Sequence, residues 1–310
     1  MAVHELRAAD DATRVGSIDN AYPPTLSIDS GDTVVTQTLT HFNDAITPQT
    51  TLEEFIRLKT EVFPDVGAHT LTGPIEVRGA RPGDMLRVQI LELQVREHGY
   101  NFHLPAEFAT GLLPEEFPEG RLQHFRHDLA AMTTQLAGVT VPLEPMLGIV
   151  AVAPREPGHH GSLRPGSFGG NLDLRDAGAG CALYLPVQVE GALLSVGDGH
   201  SRQGHGEVCT SAIETGMSHV VLRVDIVATD EPCGLRAETA DAWITLGVDE
   251  DLLEASRMAV REMIALLVEH RGMDRADAYA LCSVAVDLSV TQIVNGVRGV
   301  HARIAKSLLG

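Results

Sequence analysis

The chain has little that would bring it to nucleic acid or to a membrane. Its 310 residues hold 23 Lys and Arg against 42 Asp and Glu, a formal charge of −19. A field of that sign repels phosphate backbones and anionic lipid alike, so neither is expected as a partner. Aromatic residues make up only 4% of the chain, with a single tryptophan, Trp243. Stacking platforms for bases or sugars need exposed rings and are poorly provided for. The four cysteines, Cys181, Cys209, Cys233 and Cys282, stand far apart with no CxxC spacing. That pattern suits a reducing compartment better than a disulfide framework. The opening Met1-Ala2-Val3-His4-Glu5 has neither the basic segment nor the apolar run of a secretory signal. Apolar stretches meet a charge well before the ~18 residues a membrane helix needs. The expectation is a cytoplasmic protein. Walker A, Rossmann and G-x-S-x-G motifs are also missing.

What the chain does have is a core's worth of apolar residues, 44% of the total, and a β-like rhythm through its first three quarters. Runs at Thr33 to Thr40, Met85 to Val95, Ile149 to Ala153, Leu183 to Val189, Leu193 to Val196 and Val220 to Ala228 are separated by Gly, Pro and Asp punctuation. The stretch from Phe102 to Val141, in which His124 to Leu136 shows no clear strand period, reads as a long excursion with a short helix.

The last quarter changes period. Asp249-Glu250-Asp251 places acids in a helix first turn, and Leu252, Ala255, Ala259, Met263, Leu266 and Leu267 follow at helical spacing. Gly272 is positioned as the C-cap. Asp274 and Asp277 restart a second helix to about Asp287. Leu288 to Val294, the dipeptide Asn295-Gly296 and Val297 to Ile304 read as a hairpin. The expected fold is therefore mainly β (α+β). It is a β-sandwich-like core of short strands with a C-terminal helical pair and a closing hairpin. One domain over 1–310 is expected, β-rich over 1–230 and helix-containing over 231–310, with a homodimer the simplest assembly.

Chemistry concentrates in Gly197 to Glu207, where four glycines are interleaved with Asp198, His200, His205 and Glu207. Asp198 and His200, two apart, project from one side of an extended chain and make a workable ligand pair for Zn²⁺ or a similar ion. A solvated turn, its side chains bonded to local backbone, accounts for the same residues. Upstream, Gly169-Gly170-Asn171-Leu172-Asp173 has the same character: Asp173 suits a further ligand, Asn171 a substrate amide, and an Asx turn is the alternative. His41, with Asn43 two residues on, and His69 are weaker, isolated candidates. Glu190 reads equally as a turn carboxylate or a site residue. Cys209 follows the polar segment directly and is a possible nucleophile if a base lies within reach, or else a core residue.

Together these residues resemble the acetamidase/formamidase family. The likeness runs through Leu183-Tyr184-Leu185-Pro186-Val187, Gly191-Ala192-Leu193-Leu194 and Gly197-Asp198-x-His200-x-x-Gln203-Gly204-x-Gly206-Glu207-Val208-Cys209, and through Gly169 to Asp173. It extends to Gly73-Pro74-Ile75, Gly79 to Asp84, Asp287 to Val294 and Gly299-Val300-His301, covering nearly the whole chain. The resemblance implies a β-sandwich that hydrolyses short linear amides to carboxylate and ammonia with a divalent metal, zinc by preference. Carried over, Asp173, Asp198 and His200 are the ligands and Glu207 and Glu190 the acid/base groups; beside them, Asn171, Gly204, Gly206 and His205 are the expected substrate contacts. The amides of Gly204 and Gly206 would hold the oxyanion. This chain has His205 where the family usually has an acid, which bears on metal softness or amide preference. A cysteine amidase built on Cys209 and a non-catalytic ligand-binding sandwich are the rival readings.

Overall fold

The computed structural model describes residues 1–9, 11–64, 67–229 and 233–310. The expected division between a β-rich part ending at 230 and a helix-containing part starting at 231 lies outside them. Two nine-stranded sheets face each other. The first has the order Val3–Glu5, Asp32–Thr36, Met217–Val227, Met85–Val95, Ala182–Pro186, Arg236–Glu238, Ala242–Asp249, Arg298–Ala305 and Asp287–Gln292. The second runs Gly169–Asn171, Met146–Ala151, Leu194–Arg202, Ile213–Glu214, His98–His103 and Arg121–Arg126. Its central strand also pairs with Thr70–Val77, which brings in Thr13–Val15 and Leu26–Ile28.

The alternation in the sequence explains the first sheet. Along Met85–Val95, Leu86, Val88 and Ile90 are fully buried, and along Met217–Val227 so are Val220, Leu222 and Val224. They meet Ile75, Val77, Leu147, Val150, Leu194 and Val196 from the second sheet in one apolar core. This is the expected sandwich.

The C-terminal helices also form as their caps dictate. Asp251 accepts from the backbone N–H of Leu253 and Glu254, and Gly272 closes the Leu252–Arg271 helix in the left-handed region at φ 61°. The buried stripe of Ala255, Ala259, Met263, Leu266 and Leu267 packs with Val300, Ala302 and Ile304 of the first sheet. Arg275–Ala285 follows, capped by Asp274.

Two expectations are corrected. The region from His124 to Leu136 forms no helix. It holds the second half of the strand Arg121–Arg126, antiparallel to His98–His103, and the first arm of the hairpin Thr133–Leu136/Val139–Pro142. Arg121–Arg126 is a half-exposed edge strand, so its hydrophobic period is blurred; within Phe102 to Val141 only Ala106–Phe108 is helical, as a single 3₁₀ turn. The C-terminal hairpin is also wider than a two-residue Asn-Gly turn. Gln292 pairs with Gly299, and Asn295 is buried because its side chain is used elsewhere.

Candidate active site

The strand Leu194–Arg202 is buried over almost its whole length, although its sequence is half polar. Asp198 lies opposite Gly148 on the neighbouring strand, between the pairs Leu147–Gly199 and Ile149–Gly197. A Cβ built on Gly148 would fall 2.6 Å from Asp173 Oδ1 and would also overlap the Asp198 carboxylate. Only a missing side chain leaves room for the two acids to approach. Asp173, Asp198 and Glu207 all sit at positive φ, at 49°, 55° and 47°. Left-handed backbone costs roughly 1 kcal/mol or more for a residue with a Cβ, and such strain collects at functional sites.

Four carboxylates and three imidazoles converge here, all buried: Asp173, Asp198, Glu207, Glu214, His41, His69 and His200. His41, His69 and Asp198 can place one ligand atom each within 4.8 Å of one another; so can Asp198, His200 and Glu214, and Asp173, His200 and Glu207. The structure therefore brings Asp173, Asp198, His200 and Glu207 together and adds His41 and His69. Glu214 joins from the two-residue strand Ile213–Glu214, too short to leave a period in the sequence.

The hydrogen bonds define the imidazoles. His41 Nδ1 meets the Tyr100 hydroxyl at 2.7 Å and His69 Nδ1 meets Ser162 Oγ at 2.9 Å. Each ring thereby keeps Nε2 available, and His69 Nε2 stands 3.9 Å from Asp198 Oδ2. Burial pushes His41 down to about 3 and also lowers His69, so both are neutral. His200 behaves differently. Its Nδ1 meets Gln203 Oε1 at 2.9 Å, and Gln203 in turn donates to the Asp173 carbonyl oxygen at 2.7 Å. His200 Nε2 lies 3.1 Å from Glu214 and 3.3 Å from Asp198, without hydrogen-bond alignment to either. Burial disfavours its charged form, but these two carboxylates outweigh it and raise His200 well above its usual value.

The acids divide in the same way. Burial raises Glu214 to about 7 and Asp173 to about 6, with Asp198 adding to both. Burial, with Asp173 nearby, lifts Glu207 well above the carboxylate range. Burial also works against ionised Asp198, but His200 and His69 prevail and hold it low. Asp173 Oδ2 accepts from Asn295 Nδ2 at 2.6 Å, which is why Asn295 is drawn in from the hairpin. Asp173 Oδ1, Asn171 Oδ1 and His200 Nε2 are buried without a hydrogen-bond partner.

Asn171, Asp198, Glu207, Glu214, His41, His69 and Asn295 line a chamber of about 80 Å³. It adjoins an apolar cavity of about 410 Å³, with Leu104 and Thr110 common to both. Other expected contacts lie elsewhere. Glu190 is exposed in the turn before Gly191 and does not line the chamber. The Gly206 N–H is donated to the Thr291 carbonyl at 2.9 Å and is not free for an oxyanion. Gly204 and His205 are exposed, outside the chamber lining. Cys209 lines the apolar cavity; its Sγ takes an N–H from Asn101 at 3.3 Å and faces the Ser211 carbonyl at 3.5 Å. No imidazole or carboxylate among the described residues bonds that thiol.

Comparisons with known proteins agree with this architecture. The solved acetamidase of Bacillus halodurans superposes with a TM-score of 0.86 at 31% identity, over 98% of each chain. A protein of Schizosaccharomyces pombe named as a formamidase is 27% identical over 59% of this chain and 56% of its own length. An acetamidase of Mycolicibacterium smegmatis is 27% identical over 51% and 53%. The matches thus span about half the length of these curated relatives. The sequence profile of the Acetamidase/Formamidase family matches residues 14–158 and 162–302. The chain belongs to that family. Among the described residues no helix is long and apolar enough to cross a membrane.

Proposed function

We propose that this chain hydrolyses the C–N bond of short linear amides to carboxylate and ammonia, assisted by a divalent metal ion. The observation that carries the reading is a cluster of seven buried ionisable side chains, five of which (His41, His69, Asp198, Glu207 and Glu214) line one small chamber. The names of its relatives point to the same substrate class. Size supports it too. At roughly 10–15 Å³ per water-sized position, 80 Å³ accommodates about five to eight such positions, room for formamide or acetamide.

The donor set fits a metal. Burying four acids together is costly unless protons or a cation neutralise them. His41, His69 and Asp198 would hold the ion: two neutral imidazoles, each oriented through Nδ1 by a hydroxyl, and an ionised carboxylate. This ligand set keeps Asp198 from the expected trio and leaves Asp173 and His200 to other work. Such an ion, when bound, lowers the pKa of its water and polarises a carbonyl.

The remaining groups handle protons and substrate. Glu214, raised to about 7, is matched to accept the proton of an attacking water near neutral pH. Glu207 keeps its proton and can give it to the departing nitrogen, since an amide nitrogen leaves only when protonated. Asn171 Oδ1, unpartnered at the chamber wall, suits the substrate N–H₂. Asn295 and Gln203 hold Asp173 and His200 in place. Cation His200⁺ keeps Asp198 and Glu214 from repelling each other.

The test is ammonia release from formamide, acetamide and longer amides, by untreated, chelated and Zn²⁺-restored protein. Turnover confined to the short amides, lost on chelation and regained with Zn²⁺, is expected. No ammonia from any amide overturns the amidase; turnover that survives exhaustive chelation overturns the metal.

A further inference from the structure

A second cluster lies outside the chamber. His301, on the strand Arg298–Ala305, is buried, and its Nδ1 meets Thr291 Oγ1 at 2.8 Å. His205 is exposed in the loop after Leu194–Arg202, its ring 4.9 Å from that of His301. Asp176 follows Asp173 by three residues. These three side chains can place one ligand atom each within 4.8 Å of one another, and none of them lines the chamber.

We infer that Asp176, His205 and His301 form a second divalent-metal site, selective for zinc-type ions. The backbone builds it. The Gly206 N–H bonds the Thr291 carbonyl at 2.9 Å, and the Ile293 N–H bonds the Gly206 carbonyl at 3.1 Å. Thr291 therefore anchors both the loop that carries His205 and, through its hydroxyl, the ring of His301. That hydroxyl occupies Nδ1 and leaves Nε2 for an ion, the arrangement in which metal-binding histidines are usually held. Asp176 lies in a tight turn fixed by the Ala177 N–H to the Leu174 carbonyl at 2.7 Å.

The ligand chemistry sets the ion. Two imidazoles and one carboxylate suit Zn²⁺, Co²⁺ or Ni²⁺, whereas Ca²⁺ and Mg²⁺ prefer all-oxygen sites. Burial lowers both histidines, so they are present as neutral donors. Exposure of His205 leaves an open side for water as a fourth ligand. Arg175 is a positive neighbour and weakens the site, while the net charge of −19 favours any cation. An ion here would tie the segment carrying Asp173 to the loop carrying Glu207. The inference stands apart from the amidase reading.

The experiment is equilibrium dialysis of chelator-treated protein against Co²⁺, with bound metal counted per chain and its visible absorption recorded. His205→Ala and Asp176→Asn change side chains outside the apolar core, and circular dichroism confirms their fold. His205→Ala should bind one ion fewer than the unaltered chain. Asp176→Asn should weaken the same ion at least about tenfold, and excess Mg²⁺ or Ca²⁺ should displace neither. If both variants bind the same number of ions with unchanged affinity, the second site does not exist. Should the inner chamber bind no cobalt at all, the unaltered chain still differs from His205→Ala by one ion, so the two readings fail separately.

Discussion

The strands Met217–Val227 and Leu194–Arg202 hold comparable positions, each paired on both sides within its sheet. The first alternates, sending Val220, Leu222 and Val224 into the core. The second is buried on both faces and spends Asp198 and His200 where its counterpart spends aliphatics. One strand lowers the free energy of the fold. The other raises it, by burying charge and by left-handed backbone at Asp198, in exchange for chemistry.

The sharpest way to break this contrast is Glu207→Gln. It removes a proton-carrying group while nearly preserving shape. kcat for acetamide should fall by about 10²–10⁴-fold, and Tm should hold or rise because a buried acid is gone. A fall in both would place Glu207 among the groups that hold the fold. Leu222→Ala should do the converse. A large-to-small change at a fully buried site costs about 2–5 kcal/mol, read as a lower urea midpoint, with kcat per folded molecule unchanged. Next in size is Tyr100→Phe, which deletes the hydroxyl on His41 Nδ1 and keeps the ring. Metal affinity should drop by about 10–100-fold; unchanged affinity would show that His41 is not a ligand.

The same contrast explains what could be read in the sequence. Alternation in Met85–Val95, the caps at Asp251 and Gly272, and the stripe from Ala255 to Leu267 are local signals, and each element forms where its pattern falls. The site was legible where its residues sit beside glycines in two short segments, Asp198, His200 and Glu207 in one and Asn171 and Asp173 in the other. His41 and His69 looked isolated because their partner, Asp198, is more than a hundred residues away. Glu214 occupies a two-residue strand with no period, and Asn295 in an Asn-Gly pair looked like turn chemistry until its side chain was seen on Asp173. Edge strand Arg121–Arg126 was missed because its partner, not its own pattern, determines it.

The smallest effect sharpens the comparison from outside the chamber. His98 Nε2 meets His124 Nδ1 at 2.9 Å, and His124 Nε2 is bonded to the Thr50 carbonyl at 2.7 Å. Burial, with His124 close by, lowers His98 to about 4. Its folded value lies below the unfolded value of 6.5, so the unfolded chain binds the proton first as pH falls. Stability from this group is intact above pH 6.5 and declines between 6.5 and about 4. A half-exposed ring is screened, which keeps the effect to about 1 kcal/mol or less. His98→Gln should therefore flatten the dependence of Tm on pH in that window and leave it unchanged above pH 7. An equally steep profile in the variant would assign the acid sensitivity to the carboxylates and histidines of the chamber, the strained side of the molecule.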